Sequence, residues 1–389
     1  MVKILFICHG NICRSTMCEF VMKHLVKEAD LEEYFEIASA ATSREEIGND
    51  TYPPAKDKLR EEGIPFTPRK ARQVTKADYD YYDLLICADN ANVRNTNRIT
   101  GGDPDNKIKK LLEYVGSDRS IADPWYTRNF DETYDDVSQG CEALLLSLID
   151  EIKPTHFKVF KSMPGVTGYF TFRNAVVKGS PYDNYDFIKE IGLDKAKLVQ
   201  LKQVHEATIG IIKEPKENII YLDSTDGSIT NEKNVLLTTV HADCLPVYFY
   251  DDVNEAIGLV HSGWRGTNLG IAPKCLKMMI DEYGTDPTKI HVFVGPSISQ
   301  CCFEVGPEVP EAFRSNWSFI DEYAIPKGEK YFLDLKGIVR NQLTDMGVPS
   351  SNIEISNHCT YHEPELFRSY RREGRDYMSM GAGLCLKEK

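Results

Sequence analysis

The stretch Lys3–Thr16, KILFICHGNICRST, decides the fold of the first part of this chain. It opens with an apolar run that predicts a short buried strand, and apolar side chains then recur at helical spacing and predict a helix over Thr16–Glu28. Between strand and helix, Cys8 is followed by five residues and then Arg14. The backbone N–H groups, the helix dipole and the Arg14 guanidinium would converge there, so the stretch predicts a phosphate-binding loop that stabilises a Cys8 thiolate.

The residue types inside this loop suit an anion site. Gly10 and Asn11 tolerate the left-handed backbone of a tight loop, and Ser15 is expected both to cap the helix and to hydrogen-bond the Cys8 thiolate. The alternative is a buried cysteine at a strand end, with Arg14 as a surface charge. The predicted phosphate ligands of the loop, besides Arg14, are Gly10, Asn11, Ile12, Cys13 and Ser15.

Residues 1–152 resemble the low-molecular-weight protein tyrosine phosphatases. The resemblance is carried by Leu5–Ser15, Ser39–Ser43, Ile47-Gly48 and Ala122–Tyr126. It implies hydrolysis of a phosphotyrosine protein or a small aryl phosphate through a phosphocysteine, without any cofactor.

The same resemblance assigns the catalytic roles. Cys8 would be the nucleophile, Arg14 would hold the phosphoryl group, and Asp123 would act first as general acid and then as base. Trp125 and Tyr126 would form one wall of the substrate slot. The family often has an aromatic residue in the opposite wall, where this chain reads Arg-Glu-Glu at positions 44–46.

Strand and helix patterns alternate in this first part, which predicts a small doubly wound parallel sheet with the loop at a strand's carboxyl end. The predicted strands are 4–7, 35–38 and 84–88, and the predicted helices are 16–28, 54–62 and 135–152. The last helix meets Pro154, so the domains are predicted to span 1–152 and 156–389.

Composition indicates two ordinary globular domains. The chain has 389 residues and a net charge of −13, which argues against a nucleic-acid partner or an anionic membrane surface. Its 11 cysteines form no regular framework, which favours reduced thiols in a cytoplasmic protein. The N-terminal apolar run is too short for a signal peptide or a membrane span.

The second part of the chain has more predicted strands than predicted helices. This balance favours an α/β layered sandwich. The predicted strands are 158–160, 168–172, 219–222, 235–240, 245–250, 256–261 and 291–294, and the clearest helix is 271–282. Three short stretches contain candidate metal-binding or catalytic side chains, and they centre on His205, Cys244 and His261. Two imidazoles and a thiol would suit a three-ligand zinc site with one open position, although such a residue taken alone is more often structural than a ligand.

Residues 156–389 resemble the polyphenol-oxidase (laccase-domain) family, also described as YfiH-type purine nucleoside phosphorylases. The resemblance runs through residues 203–205, 242–247, 261–266, 295–298, 301–306, 334–335, 359–360 and 369–372. It implies Zn²⁺, with Cu²⁺ as the alternative, held by His205, Cys244 and His261. Asp243 would either orient a ligand or cap a turn. The implied substrates are a purine nucleoside and inorganic phosphate, with Arg173 as a phosphate ligand.

Several functions stay open for this second part. The implied reactions are phosphorolysis of adenosine, inosine or methylthioadenosine and deamination of adenosine. Phenol oxidation with copper and editing of cell-wall precursors are related alternatives. A metal-free hydrolase with Cys244 as nucleophile and His261 as base is a rival, and so is a nucleoside-sensing module that regulates the phosphatase. The family's paired glycine after Arg173 is replaced by Asn174-Ala175, and the segment up to His205 is short.

Overall fold

The structure is a computed structural model that describes residues 1–175, 188–189, 191–374 and 378–388. The chain divides into two compact units, Met1–Lys153 and Pro154–Lys389. No helix among the described residues is long and apolar enough to traverse a lipid bilayer.

The first unit is built on a four-stranded parallel sheet in the order β2-β1-β3-β4. Its strands are β1 (Val2–Cys8), β2 (Phe35–Ala41), β3 (Leu84–Cys87) and β4 (Ile108–Lys110). Its helices are α1 (Arg14–Glu28), α2 (Pro53–Glu61), α3 (Lys76–Tyr81), α4 (Asn90–Thr100), α5 (Pro124–Thr127) and α6 (Phe130–Ile152).

Side-chain alternation along β1 covers both faces of this sheet. Leu5 and Ile7 are fully buried with Tyr79 of α3 and Val93 of α4. The residues of β1 that alternate with Leu5 and Ile7 point to the other face of the sheet. On that face, α1 packs on β1, β2 and α6. The sheet is therefore covered by helices on both faces, which is the predicted doubly wound arrangement, and Cys8 stands at the carboxyl end of a central strand.

The second unit contains two six-stranded mixed sheets and a small antiparallel one. One large sheet has the order β18-β14-β12-β13-β10-β8, the other has the order β5-β6-β19-β11-β7-β9, and the small sheet has the order β15-β17-β16. The strands are β5 (His156–Val159), β6 (Val166–Thr171), β7 (Lys197–Leu201), β8 (Ile209–Ile211), β9 (Ile219–Leu222), β10 (Gly227–Thr230), β11 (Val235–His241), β12 (Leu245–Asp251), β13 (Ala256–Ser262), β14 (His291–Val294), β15 (Glu304–Val305), β16 (Ala324–Lys327), β17 (Lys330–Leu333), β18 (Ile353–Ile355) and β19 (Met380–Leu386).

These sheets and helices form layers. The helices are α7 (Trp264–Asn268), α8 (Ile271–Tyr283), α9 (Glu308–Arg314), α10 (Leu335–Asp345) and α11 (Tyr370–Glu373). Apolar residues of α8 and α10 share one buried core with β12, β13 and β14. The other face of that sheet meets the second large sheet, where the Tyr248 hydroxyl donates to the Tyr169 carbonyl at 2.9 Å. The unit is the α/β layered sandwich that the sequence predicts.

Candidate active sites

The loop after β1 surrounds the Cys8 sulfur with donors. The Asn11 N–H lies 3.2 Å from the Sγ of Cys8, and the Ser15 hydroxyl lies 3.0 Å from it. The prediction that Ser15 caps the helix is wrong, because α1 begins at Arg14 and Cys13 is its N-cap residue. Ser15 thus lies inside the first turn, where its hydroxyl faces the sulfur and the Asn11 side chain.

Asn11 takes the left-handed conformation that the tight loop requires, with φ of 58°. Its side-chain NH₂ donates to Ser15 and Ser39, and its carbonyl groups accept two hydrogen bonds from the Arg69 guanidinium at 2.6 and 2.7 Å. Gly10 does not need a left-handed backbone. It needs space, because a Cβ there would lie 3.1 Å from the Cγ of Glu46.

The Arg14 guanidinium links the loop to the general-acid candidate. Its Nη1 lies 2.8 Å from Asp89 and its Nη2 lies 2.6 Å from Asp123. Asp123 also caps α5 by accepting a hydrogen bond from the Trp125 N–H. Sequence reasoning missed Asp89, although its position two residues after β3 puts it at the same carboxyl edge of the sheet as Cys8.

These groups share a cavity of about 360 Å³. Its lining includes Cys8, Cys13, Arg14 and Asp123, the aromatic residues Trp125 and Tyr126, and the acidic residues Glu45 and Glu46. Both aromatic rings are partly exposed, at 47% for Trp125 and 83% for Tyr126. The side chains of Ile12 and Cys13 pack with Ala71, so these two residues contribute structure to the loop.

The second unit brings His205, Cys244 and His261 together, although they are far apart in the chain. One donor atom from each lies within 4.8 Å of the others. His261 is the penultimate residue of β13, Cys244 lies in the turn between β11 and β12, and His205 lies in the loop after β7 with φ of 64°. The sheet order places β12 beside β13 and therefore joins two of these donors.

Asp226 organises this site, and sequence reasoning missed it. Its buried carboxylate accepts the N–H groups of Val204, His205 and Glu206 at 3.0 to 3.2 Å and lies 2.9 Å from the Nδ1 of His261. Burial alone would raise the pKa of Asp226, but His261 and the N–H donors outweigh burial and lower it. The carboxylate holds His261 with its Nε2 free to face Cys244.

The residues present fit a zinc ion. A Cβ on Gly263 would lie 3.2 Å from both the Sγ of Cys244 and the Cδ2 of His205, so the glycine keeps space beside the donors. Burial opposes ionisation of Cys244, but His261 and His205 outweigh it and lower the thiol's pKa. Mixed imidazole and thiolate donors suit zinc and also accept copper.

Two neighbouring residues have structural roles. His241 uses both ring nitrogens, at 2.7 Å from the Thr239 hydroxyl and 3.0 Å from the Cys244 carbonyl. Asp243 does not contact a predicted ligand through its carboxylate in the described part of the chain. That carboxylate instead accepts hydrogen bonds from Thr360, Ser369 and the Arg371 N–H at 2.6, 3.0 and 2.7 Å.

Arg173 begins a short 3₁₀ turn, Arg173–Ala175, after β6. Its N–H donates to the Leu366 carbonyl, and its guanidinium donates to the Pro364 carbonyl. Burial and the nearby Arg368 guanidinium lower its pKa. Residues 176–187, which are part of the altered segment between Arg173 and His205, lie outside the described residues.

Comparisons with known proteins divide the chain in the same way. The family described as low molecular weight phosphotyrosine protein phosphatase matches residues 3–154, and the family described as multi-copper polyphenol oxidoreductase laccase matches residues 182–387. The low molecular weight protein-tyrosine-phosphatase YfkJ of Bacillus subtilis is 39% identical over 153 residues, which cover 39% of this chain and 98% of YfkJ.

Two further proteins resemble the second unit. The purine nucleoside phosphorylase YlmD of Bacillus subtilis is 40% identical over 168 residues, which are 43% of this chain and only 60% of YlmD. The crystal structure of the Bacillus licheniformis hypothetical protein YfiH aligns with a TM-score of 0.57 and 30% identity, and the alignment covers 60% of this chain and 97% of that chain.

Proposed function

The chain belongs to the low molecular weight phosphotyrosine protein phosphatase family over residues 3–154 and to the multi-copper polyphenol oxidoreductase laccase family over residues 182–387, and from this premise we propose that it is a bifunctional enzyme. The first unit would hydrolyse phosphotyrosine or a small aryl phosphate. The second would act on a purine nucleoside at a zinc site. The single observation that carries the first proposal is the convergence of Cys8, Arg14 and Asp123 on one cavity.

The first half-reaction transfers the phosphoryl group to sulfur. The Cys8 thiolate attacks phosphorus, the bond from phosphorus to the phenolic oxygen breaks, and Asp123 gives its proton to that oxygen. Arg14 and the loop N–H groups would hold the three transferring oxygens. Because Arg14 pairs with both Asp89 and Asp123, an arriving phosphoryl group competes with Asp123 for the guanidinium and frees that side chain to face the leaving group.

The second half-reaction regenerates the enzyme. The Asp123 carboxylate takes a proton from water, the water oxygen attacks phosphorus, and the phosphorus–sulfur bond breaks to release phosphate and the Cys8 thiolate. Ser15 and the Asn11 N–H lie at hydrogen-bond distance from the sulfur and stabilise it as the leaving group.

The residues that line the cavity indicate which phosphate esters the first unit would accept. Trp125 and Tyr126 offer aromatic faces to a phenyl ring, whereas Glu45 and Glu46 place carboxylates in the lining. Like charges would repel a phosphopeptide with acidic residues beside the phosphotyrosine. The proposed substrate class is therefore a neutral or basic phosphotyrosine segment, or a small aryl phosphate.

The proposal for the second unit rests on the convergence of His205, Cys244 and His261. A zinc ion bound there would supply Lewis-acid polarisation of a nucleoside group or of a water molecule. Asp226 fixes the orientation of His261 and also anchors the backbone that carries His205. Three protein ligands leave one coordination position for the substrate side.

Phosphate would bind beside the turn that contains Arg368. Asp243 precedes Cys244 and binds Ser369 and the Arg371 N–H, so the turn with Arg368 lies next to the Cys244 turn. The guanidinium groups of Arg368 and Arg173 are close enough to repel each other. An anion bound beside them would be attracted by both groups and would offset that repulsion. This juxtaposition of guanidinium groups and the proposed metal site favours phosphorolysis.

One assay series tests the second proposal. The full chain would be incubated with adenosine, inosine or methylthioadenosine, with and without inorganic phosphate, while its zinc and copper contents are measured. Free base and ribose 1-phosphate that form only with phosphate support phosphorolysis, and inosine formed from adenosine without phosphate supports deamination. Binding without turnover, or turnover in metal-free protein, would overturn the proposal in favour of a sensing module or a Cys244–His261 hydrolase.

A further inference from the structure

A second cluster of metal-binding side chains lies outside the site described above. It consists of Cys301, Cys302, Cys359 and His362, and one donor atom from each lies within 4.8 Å of the others. Cys301 and His362 are exposed, Cys302 is half-buried and Cys359 is buried. We call these four residues the Cys₃His cluster.

Two distances within the cluster match those between ligands of one tetrahedral zinc ion. Zinc–sulfur bonds of about 2.3 Å and zinc–nitrogen bonds of about 2.0 Å put two sulfurs about 3.8 Å apart, and a sulfur and a nitrogen about 3.5 Å apart. The Sγ atoms of Cys301 and Cys359 are 3.9 Å apart, and the Sγ of Cys301 lies 3.6 Å from the Nδ1 of His362. The Sγ of Cys302 lies 3.1 Å from the Nε2 of His362, a contact that a zinc ion on the Nδ1 would replace, and the four donor atoms stay within 4.8 Å of one another.

The backbone brings the two halves of the cluster together. Cys301 and Cys302 lie in the loop between β14 and β15, and Cys359 and His362 follow β18. The loops meet where Ser297 bridges Cys359, and the Thr360 N–H donates to the Ser297 carbonyl at 3.1 Å. The Ser299 N–H also points at the Sγ of Cys359, at 3.4 Å, as expected beside a thiolate.

A buried lysine balances the charge. The Lys336 ammonium donates to the carbonyls of Ser356 and His358 at 2.8 and 2.6 Å and to the Ser299 hydroxyl at 3.2 Å. It therefore sits between the two loops. Three thiolates with one zinc ion carry one negative charge, and an ammonium at this position offsets it.

Other interpretations explain less of the cluster. A role in the apolar core does not account for exposed Cys301 and His362. A disulfide between Cys301 and Cys359 would use two of the four donors and leave the approach of Cys302 to His362 without a reason. A set of three thiols and one imidazole is a usual ligand set of closed structural zinc sites.

We propose that Cys301, Cys302, Cys359 and His362 bind a structural zinc ion, separate from the ion at His205, Cys244 and His261. All four coordination positions would come from the protein, so this ion would clamp two loops together and would not meet substrate. The clamp lies beside Thr360, whose hydroxyl donates to Asp243 at 2.6 Å. Its loss would loosen the support of the Cys244 turn.

Site-resolved alkylation of the full chain tests this proposal. Reduced protein would be treated with N-ethylmaleimide, either loaded with two equivalents of zinc or stripped with a chelator, and the modified peptides quantified by mass spectrometry. Because metal-bound thiolate is shielded, zinc is expected to slow modification of exposed Cys301 by about tenfold or more. The same protection should extend to Cys302.

Variants separate this site from the nucleoside site. His362→Gln should abolish the protection of Cys301, whereas the matched control His291→Gln, a half-buried imidazole beside Asp252, should keep it. Cys244→Ala should also keep it, so failure of the proposed nucleoside site would leave this result unchanged. The proposal is overturned if zinc does not slow modification of Cys301, or if His362→Gln, still folded by circular dichroism, keeps the protection in full.

Discussion

At the scale of single residues, the proposed chemistry of the first unit depends on Cys8, Arg14 and Asp123. We expect Cys8→Ser to abolish aryl-phosphate hydrolysis, since an alcohol is a poor nucleophile and a poor leaving group at this position. Asp123→Asn should slow hydrolysis by about 10²- to 10⁴-fold, which is the usual contribution of a general acid. The measurement is the steady-state rate with p-nitrophenyl phosphate and with a phosphotyrosine peptide.

The control is Asp80→Asn, which removes an exposed carboxylate that pairs with Lys76 at 3.2 Å. It should leave the rate unchanged. Appreciable activity in Cys8→Ser would contradict the phosphocysteine pathway, whereas an unaffected rate in Asp123→Asn would contradict only the role of the acid.

We expect Cys13 to give the same loop a reversible response to oxidants. Burial raises the pKa of the Cys13 thiol to about 12, and the nearby Cys8 adds to the shift, so the proton stays on Cys13 while Cys8 reacts. Peroxide would oxidise Cys8 to a sulfenic acid, which the Cys13 sulfur would attack to form a disulfide and release water. Inactivation by peroxide should be reversed by dithiothreitol.

Cys13→Ala should recover much less activity than the parent, because its sulfenic acid would be oxidised further. The matched control is Cys87→Ser, which changes a buried thiol 3.6 Å from the Thr96 hydroxyl. Equal recovery in Cys13→Ala and the parent would show that Cys13 serves only to pack beneath the loop.

At the scale of strands and loops, Asp226 joins the two parts of the chain that carry His205 and His261 in the proposed nucleoside site. It lies immediately before β10 and holds both the loop that carries His205 and the ring of His261. An asparagine cannot accept all of these hydrogen bonds. We expect Asp226→Asn to weaken zinc binding by about 10- to 100-fold, measured by competition with a chromophoric chelator.

Asp223→Asn is the control for this change. Asp223 lies three residues earlier, is exposed and pairs with exposed Lys202 at 3.0 Å. Zinc affinity should be the same as in the parent. If Asp226→Asn binds zinc as tightly as Asp223→Asn, the carboxylate stabilises the loop without tuning the ligand.

The sequence predicted a site well where its residues are neighbours in the chain. It predicted poorly the residues that join the site only through the tertiary fold. The Cys8–Arg14 loop could be interpreted directly because its donors are neighbours in the chain and its flanking strand and helix have clear periodicity. Asp226 and Asp89 were missed because each contacts site residues that are 20 or more residues away. Their only local signal is a carboxylate beside a strand, and many surface turns share it.

Strand β19 shows a second limit of sequence reasoning. Its sequence MGAGLCL is rich in small residues and lacks the β-branched and aromatic side chains that indicate a strand, yet the strand is central in its sheet. The reason is tertiary, because a side chain at Gly383 would overlap the Tyr169 ring packed across it. The packing partner that requires glycine is more than 200 residues away, so no local pattern predicts this strand.

At the scale of the whole molecule, the two proposed activities have opposite requirements for metal. The proposed phosphatase reaction would use a thiolate, a guanidinium and a carboxylate, whereas the proposed nucleoside reaction would depend on a metal at His205, Cys244 and His261. A chelator should therefore remove nucleoside turnover and leave aryl-phosphate hydrolysis at its full rate. Added zinc should restore the lost activity in the same sample, and added copper would test the alternative metal.

Cys244→Ala makes the same separation without a chelator. Removing one of three ligands from a site at the ends of strands should cost metal affinity without unfolding a unit whose core lies elsewhere, between β12–β14 and α8. The zinc content should fall by about one ion per chain together with nucleoside turnover, while p-nitrophenyl phosphate hydrolysis continues. Zinc, both activities and the thermal transition would be measured in one preparation. Zinc retained at the parental level would refute the ligand set, and parallel loss of phosphatase activity would show that the two units depend on one another.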